Sequence, residues 1–233
     1  MIRPLGSVQS ATQDPWVVFG TEYSNSTLKS LATLMRLVGV AVFNNSKKPT
    51  VVSGVASNHI IGKADSKVKF VEYGDYQCPY CQQYFATVNQ VKDKYKDRVS
   101  FQYRNFPLTS IHKNAFAAAR AAEAADKQGK FWEMHDILYA NNDPTGASGW
   151  VASDKPFDFF SGYAKQLGLD AAKFKTDYAS ESVNNIINAD MAAGTKLNVE
   201  GTPSFFINGN KQQIQNTVDA FSKALDEALK NAK

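Results

Sequence analysis

Two cysteines, three residues apart, are the only thiols in this 233-residue chain: Cys78 and Cys81, separated by Pro79 and Tyr80. The apolar, β-prone run Phe70-Val71-Glu72-Tyr73 leads into them through the polar turn Gly74-Asp75-Tyr76-Gln77. Thiols at i and i+3 on a first helical turn can close a small disulfide ring with little backbone movement. The first of the pair sits where unpaired backbone N–H groups and the helix dipole favour a thiolate. The thiolate is the form that attacks disulfides, so the spacing suits thiol–disulfide exchange. Two other chemistries share it. A structural zinc site needs four protein ligands, and here there is no second cysteine pair while His59, His112 and His135 are widely scattered. A purely structural bridge would close so short a loop that it removes little unfolded-state entropy. The strand-then-helix context is the one redox pairs require.

Alternation along Val68–Tyr73 places Val68, Phe70 and Glu72 on one face and Val71 and Tyr73 on the other. Both faces are mostly apolar, so the spacing predicts an interior strand covered on each side. Glu72 then points inward, where a carboxylate is costly without a partner or a task. Its bland alternative is a strand-end carboxylate paired with a lysine. Asp75, Tyr76 and Tyr80 border the cysteines, and turn packing explains Asp75 equally well. His112, at a predicted helix start, and His135, on an aromatic helix face, read as structural. Trp132 and the cluster Phe157, Phe159 and Phe160 read as core or lobe surface.

The elements that must hold these residues follow from periodicity. Cys81, Phe85, Val88, Val91/Lys92 and Tyr95 recur at helical spacing after Pro79, a residue suited to a first helical turn. Val99–Phe106 alternates as a second strand and stops at Pro107. A helical block comes next: an Ala-rich helix over Asn114–Ala125, and an aromatic-faced one carrying Phe131, Trp132, Met134, His135, Leu138 and Tyr139. After a loop over Asn141–Ser153 there are helices over Phe157–Leu167, from the cap Asp170, and over Val183–Leu197. Thr202–Ile207 returns to a strand. Asn208-Gly209-Asn210 turns it into a second arm over Lys211–Ile214, and Thr217 caps a last amphipathic helix. The order is β-α-β, a helical block, then β-β-α, an α/β class.

Composition excludes other functions more than it selects one. The net charge of +4 is spread among interleaved lysines and acids, the pattern of solvated helix faces, so no nucleic-acid partner is expected. No Gly-rich phosphate loop or repeat is visible. Residues 1–57 differ from the rest. Leu31–Phe43 is the most apolar run, but its 13 residues include Arg36 and fall short of the roughly 20 a spanning helix needs. A signal-peptide core and an amphipathic helix packed on the domain both fit it. Residues 44–57 read as a linker, with the folded domain over 58–233.

The motif Cys78-Pro79-Tyr80-Cys81 after a strand, with Gly201-Thr202-Pro203 before a hairpin and a terminal helix, resembles the thioredoxin fold. The helical block between the halves, about 109–198, resembles the inserted lobe of the DsbA-like thiol–disulfide oxidoreductases. The stretches Arg104-Asn105-Phe106-Pro107-Leu108, His112-Lys113-Asn114-Ala115 and Lys130–His135 resemble the bacterial membrane-anchored branch of that family. The resemblance implies Cys78 as the exposed nucleophile, Cys81 as the buried resolving thiol, and Pro203 as a cis-proline facing the pair. It implies Glu72 as the buried acid that assists proton transfer at Cys81. Thr202, through its backbone, and Pro79, Tyr80 and Tyr76 are expected at the substrate. No metal or cofactor is implied beyond a redox-active Cys78–Cys81 disulfide. The implied activity is disulfide donation to protein thiols outside the cytoplasm, in the periplasm or cell envelope. The implied reoxidant is a quinone-linked membrane protein of the DsbB or vitamin K epoxide reductase type. A reductase or isomerase, and a non-catalytic binding module, are the alternatives.

Overall fold

The structure is a computed structural model and describes residues 54–232; the apolar run Leu31–Phe43 lies outside the described residues. Its frame is a five-stranded sheet in the order β1-β3-β2-β4-β5. The strands are β1 (His59–Gly62), β2 (Lys69–Gly74), β3 (Ser100–Asn105), β4 (Ser204–Ile207) and β5 (Asn210–Gln212). β2 runs parallel to β3 and antiparallel to β4, so the strand that leads to the cysteines is interior, as its two apolar faces predict. Helix α1 (Pro79–Tyr95) joins β2 to β3 in a crossover, and α8 (Val218–Asn231) packs against α1. Phe70, Val91, Tyr95, Phe101, Phe205 and Phe221 form the core on that side of the sheet.

Six helices stand between β3 and β4: α2 (Ala115–Asp126), α3 (Phe131–Ala140), α4 (Gly149–Ala152), α5 (Pro156–Gln166), α6 (Ala171–Ala179) and α7 (Glu181–Lys196). Six alanines of α2 (115, 118, 121, 122, 124 and 125) are fully buried, so α2 approaches its neighbours at backbone distance and forms the centre of this lobe. Both expected caps are present. The Asp170 side chain accepts the Lys173 N–H at the start of α6, and the Thr217 side chain accepts that of Ala220 at the start of α8. Asn208 and Gly209, with φ of 49° and 81°, make the tight β4–β5 turn.

Three features depart from the sequence reading. β1 is an additional edge strand, antiparallel to β3, in a stretch too short and too turn-like to show alternation. The hairpin is shorter than expected, since Thr202 and Pro203 precede β4 and β5 ends at Gln212. The loop over Asn141–Ser153 contains α4. Its Pro and Gly content masked Trp150, which is fully buried against Phe160 and needs a fixed backbone. Asn114 supplies it, donating from Nδ2 to the carbonyls of Trp150 and Ser153, both at 2.8 Å.

The start of the described fold is fastened by buried polar groups. Asp190 of α7, wholly buried, accepts from the Ser57 N–H (2.8 Å), the Ser57 hydroxyl (2.7 Å), Arg104 (3.0 Å) and the Asn105 N–H (3.0 Å). His59 lies 2.8 Å from Glu123 and 3.3 Å from Asp126, with its ring stacked on Phe131. Burial by itself would lower the His59 pKa, but the hydrogen bonds to Asp126 and Glu123 raise it to about 9.

Candidate active site

β2 ends at Gly74, whose bare Cα is required: a Cβ there would meet the Tyr103 ring at 2.6 Å. The chain then turns through Asp75–Gln77, and Cys78 becomes the N-cap of α1 with Pro79 in the first turn. The Cys78 N–H donates to the Asp75 carbonyl at 3.1 Å. Both cysteines are free thiols. From the far end of the chain, the Thr202–Pro203 peptide is cis, and the Thr202 carbonyl accepts from Cys78 Sγ at 3.3 Å. This contact corrects one expectation. Cys78 is 3 % exposed, recessed beneath the Thr202–Pro203 loop rather than protruding, so a substrate thiol must enter beside that loop.

The two thiols are electrostatically unlike. Cys78 is held down at about 6, first by the Cys81 thiol beside it, against the opposing effect of burial. The Thr202 side chain and the N–H groups of Cys81 and Tyr80 add to this. The Thr202 hydroxyl has no hydrogen-bond partner while Cys78 is a thiol, and is the donor available to a thiolate. Cys81, 1 % exposed, is pushed well above the ordinary thiol value by burial, then by the Cys78 thiolate. One sulfur is a nucleophile near neutral pH, and the other holds its proton.

Glu72 faces inward, opposite Tyr103 on one side and Phe205 on the other. Burial raises it to about 7, with Lys92 pulling down and the Cys78 charge pushing up. A small cavity of about 10 Å³ lies among Glu72, Lys92, Trp132 and His135, enough for roughly one water molecule. Lys92 itself sits 4.7 Å over the Trp132 ring, and burial lowers its pKa. The lysine had a sequence signal: it stands on the apolar stripe of α1, where a cation needs a reason.

The remaining candidates separate. Tyr80 is 64 % exposed and lines a groove of about 280 Å³ with Tyr84, Thr202, Pro203, Lys211 and Ile214. Pro79, between Cys78 and Tyr80, is half-buried. Tyr76 is not a substrate contact. It is 1 % exposed, with its ring packed on Tyr103 and Tyr139, because the turn folds it back into the lobe. His135 is buried within the same aromatic group. His112 is the residue whose place was missed: its Nδ1 lies 2.7 Å from the Asp75 carboxylate in the turn before Cys78. No group of three or more metal-ligating side chains occurs among the described residues.

Compared with known proteins, residues 55–227 match the family model described as thioredoxin. The chain belongs to the thioredoxin family. Within it, the DsbA-like thiol–disulfide oxidoreductases are its branch. A protein of Bacillus cereus named "Probable disulfide bond formation protein D" is 31 % identical over 209 residues, covering 86 % of this chain and 94 % of that one. The crystal structure of a thioredoxin-like oxidoreductase from Silicibacter pomeroyi superposes with a TM-score of 0.61 at 30 % identity, covering 74 % of this chain and 92 % of that one. Oxidised BdbD from Bacillus subtilis gives a TM-score of 0.65 at 24 % identity, over 76 % and 97 %, and shares the fold. A Na+/H+ antiporter, NhaA 3, of Salinispora tropica is 36 % identical over 176 residues, 76 % of this chain. The chain spans only about a quarter of that antiporter's length (25 %), a stretch the size of the thioredoxin-like domain. Among the described residues, no helix is long and apolar enough to cross a membrane.

Proposed function

We propose that this DsbA-like protein donates disulfides to protein thiols outside the cytoplasm, with the Cys78–Cys81 disulfide as its redox group. The observation that carries the reading is the split between the cysteines: Cys78 held down at about 6, Cys81 pushed well up. A substrate thiolate attacks Cys78 Sγ of the disulfide and expels Cys81, which takes up a proton as the mixed disulfide forms. A second substrate thiolate attacks the substrate sulfur of that bond and expels Cys78 as a thiolate. The substrate gains a disulfide, and the enzyme gains two electrons. A leaving group of low pKa makes the second step fast, and a stabilised thiolate favours the reduced form, so the disulfide is a strong oxidant.

Glu72, with its pKa at about 7, passes the proton to and from Cys81. Pro203 and the Thr202 backbone hold an extended substrate segment across the nucleophile, and Tyr80 and Pro79 border that segment in the groove. Cys81 resolves the reverse attack and restores the disulfide. Reoxidation falls to a quinone-linked membrane partner of the DsbB or vitamin K epoxide reductase type.

The test is the equilibrium potential of the pair, titrated against glutathione buffers. The expected value lies well above that of glutathione. A value near −270 mV, that of thioredoxin, would replace the oxidase with a reductase, and no reversible two-electron step would leave only a binding module.

A further inference from the structure

The exchange chemistry leaves one hydrogen-bonded pair beside the nucleophile unused, the Asp75 carboxylate and the His112 ring. Asp75 is 1 % exposed and three residues before Cys78. Its backbone carbonyl accepts the Cys78 N–H at 3.1 Å. Its carboxylate accepts the Gln77 N–H (2.7 Å) through one oxygen, and the Leu108 N–H (2.9 Å) and His112 Nδ1 (2.7 Å) through the other. An uncompensated negative charge in this position would oppose the ionisation of Cys78, since like charges in low dielectric disfavour each other. Nothing in the exchange chemistry calls for a carboxylate here, yet it is anchored by three hydrogen bonds.

We propose that His112 is a positioning residue for Cys78: as an imidazolium it fixes the Asp75 carboxylate, and with it the turn that anchors the Cys78 N–H, and it cancels that carboxylate's charge against the thiolate. The side chain suits the role, being only 15 % exposed and in direct contact with the carboxylate. Its proton affinity is raised first by the hydrogen bond to Asp75, against burial, and then by the charges of Asp75 and Cys78. Coupling of this kind is reciprocal: a thiolate that favours the imidazolium is favoured by it. The neighbouring cation Lys113 is engaged by Asp154 (2.9 Å) and the Ala152 carbonyl (2.8 Å). Gln77 and Asn114 complete the brace without charge, the Asn114 N–H donating to the Gln77 side chain at 2.6 Å.

The inference rests on the Cys78–Cys81 redox reading, and two measurements on the full chain test it. In the wild type, NMR titration of the histidine rings in the reduced and the disulfide forms should give His112 a higher midpoint when Cys78 is reduced, by about twofold or more in proton affinity. Equal midpoints would overturn the assignment. In H112Q, whose amide can still donate to Asp75, the thiolate fraction at pH 6 read by ultraviolet absorbance should fall about three- to tenfold. In D75N/H112Q, with both charges removed, it should return to within about twofold of wild type. A His112 that only holds the fold would lower the melting temperature of H112Q with no change in the Cys78 midpoint, and that result rejects the proposal. Loss of the redox reading itself would show separately, as a wild type without a reversible potential, and the thiolate titrations would still decide His112.

Discussion

At Cys78 the thiolate is stabilised by the Cys81 thiol, the Thr202 side chain and two backbone N–H groups, and together they outweigh burial. The consequence is a change in proton stoichiometry near pH 6. Below it, reduction of the disulfide takes up two protons, and the potential should fall by about 59 mV per pH unit. Above it only Cys81 takes up a proton, because its own pKa is well above the ordinary thiol value, and the slope should halve to about 30 mV. A break elsewhere, above pH 8, would contradict the thiolate assignment. Alkylation of the reduced protein should show the same midpoint, with Cys81 unreactive through the neutral range. Glu72 makes a second prediction. Its folded pKa of about 7 lies above the ordinary carboxylate value of 4.5, so its contribution to stability is full below 4.5 and lost as pH rises through 7. Glu72→Gln should therefore be more stable than wild type at pH 8, by on the order of 2–3 kcal/mol in denaturant melts. It should also slow disulfide exchange with a model peptide by about tenfold to a hundredfold. A variant that is stabilised but exchanges at the wild-type rate would leave Glu72 a buried carboxylate without a catalytic role.

At the scale of elements, the site depends on close approaches that small residues permit. Gly194 lets α7 lie against the end of β3: a Cβ there would meet the Phe106 ring at 2.8 Å and the Tyr73 ring at 3.0 Å. Gly194→Ala gains about 1 kcal/mol of helix propensity but overpacks the joint at a cost of about 1–3 kcal/mol. The expected net result is a loss of about 1 kcal/mol by denaturant melting. Trp150 of α4 is the opposite case, a large side chain filling the space between α2 and α5. Trp150→Ala should cost about 3–5 kcal/mol. The lobe should loosen first, visible as faster amide exchange in α2 and α5 than in the sheet.

Across the whole described molecule, two polar assemblies tie the lobe to the sheet. One is the brace of Asp75, Gln77, His112 and Asn114 behind the nucleophile. The other gathers Ser57, His59, Asn105, Glu123 and Asp190 at the start of β1. The second titrates. His59 has a folded pKa of about 9, raised from 6.5, so its stabilisation is fully present below pH 6.5 and lost as pH rises through 9. Stability should decline between pH 7 and 10, by on the order of 2–3 kcal/mol in the wild type. His59→Gln should flatten that decline while leaving the Cys78 alkylation midpoint near pH 6. A decline of equal depth in both proteins would place the loss elsewhere.

Much of this was legible in the chain itself, because it depends on spacings of a few residues. Cysteines at i and i+3 after an apolar strand mark the candidate redox pair, alternation turns Glu72 inward, and Asp170 and Thr217 cap helices by bonding N–H groups three residues on. What tertiary structure alone decided lies between distant segments. Thr202 reaches Cys78 across 124 positions, and His112 reaches Asp75 across 37. Lys92 meets Glu72 only because α1 crosses β2. Tyr76 reads as a substrate contact bordering the cysteines, yet the turn carries it into the aromatic core of the lobe. Local propensity and periodicity fix how each segment folds on itself. The contacts that recess the nucleophile and neutralise the charge behind it form only when the lobe and the β-hairpin dock on the sheet, which is a property of packing rather than of any short window of residues.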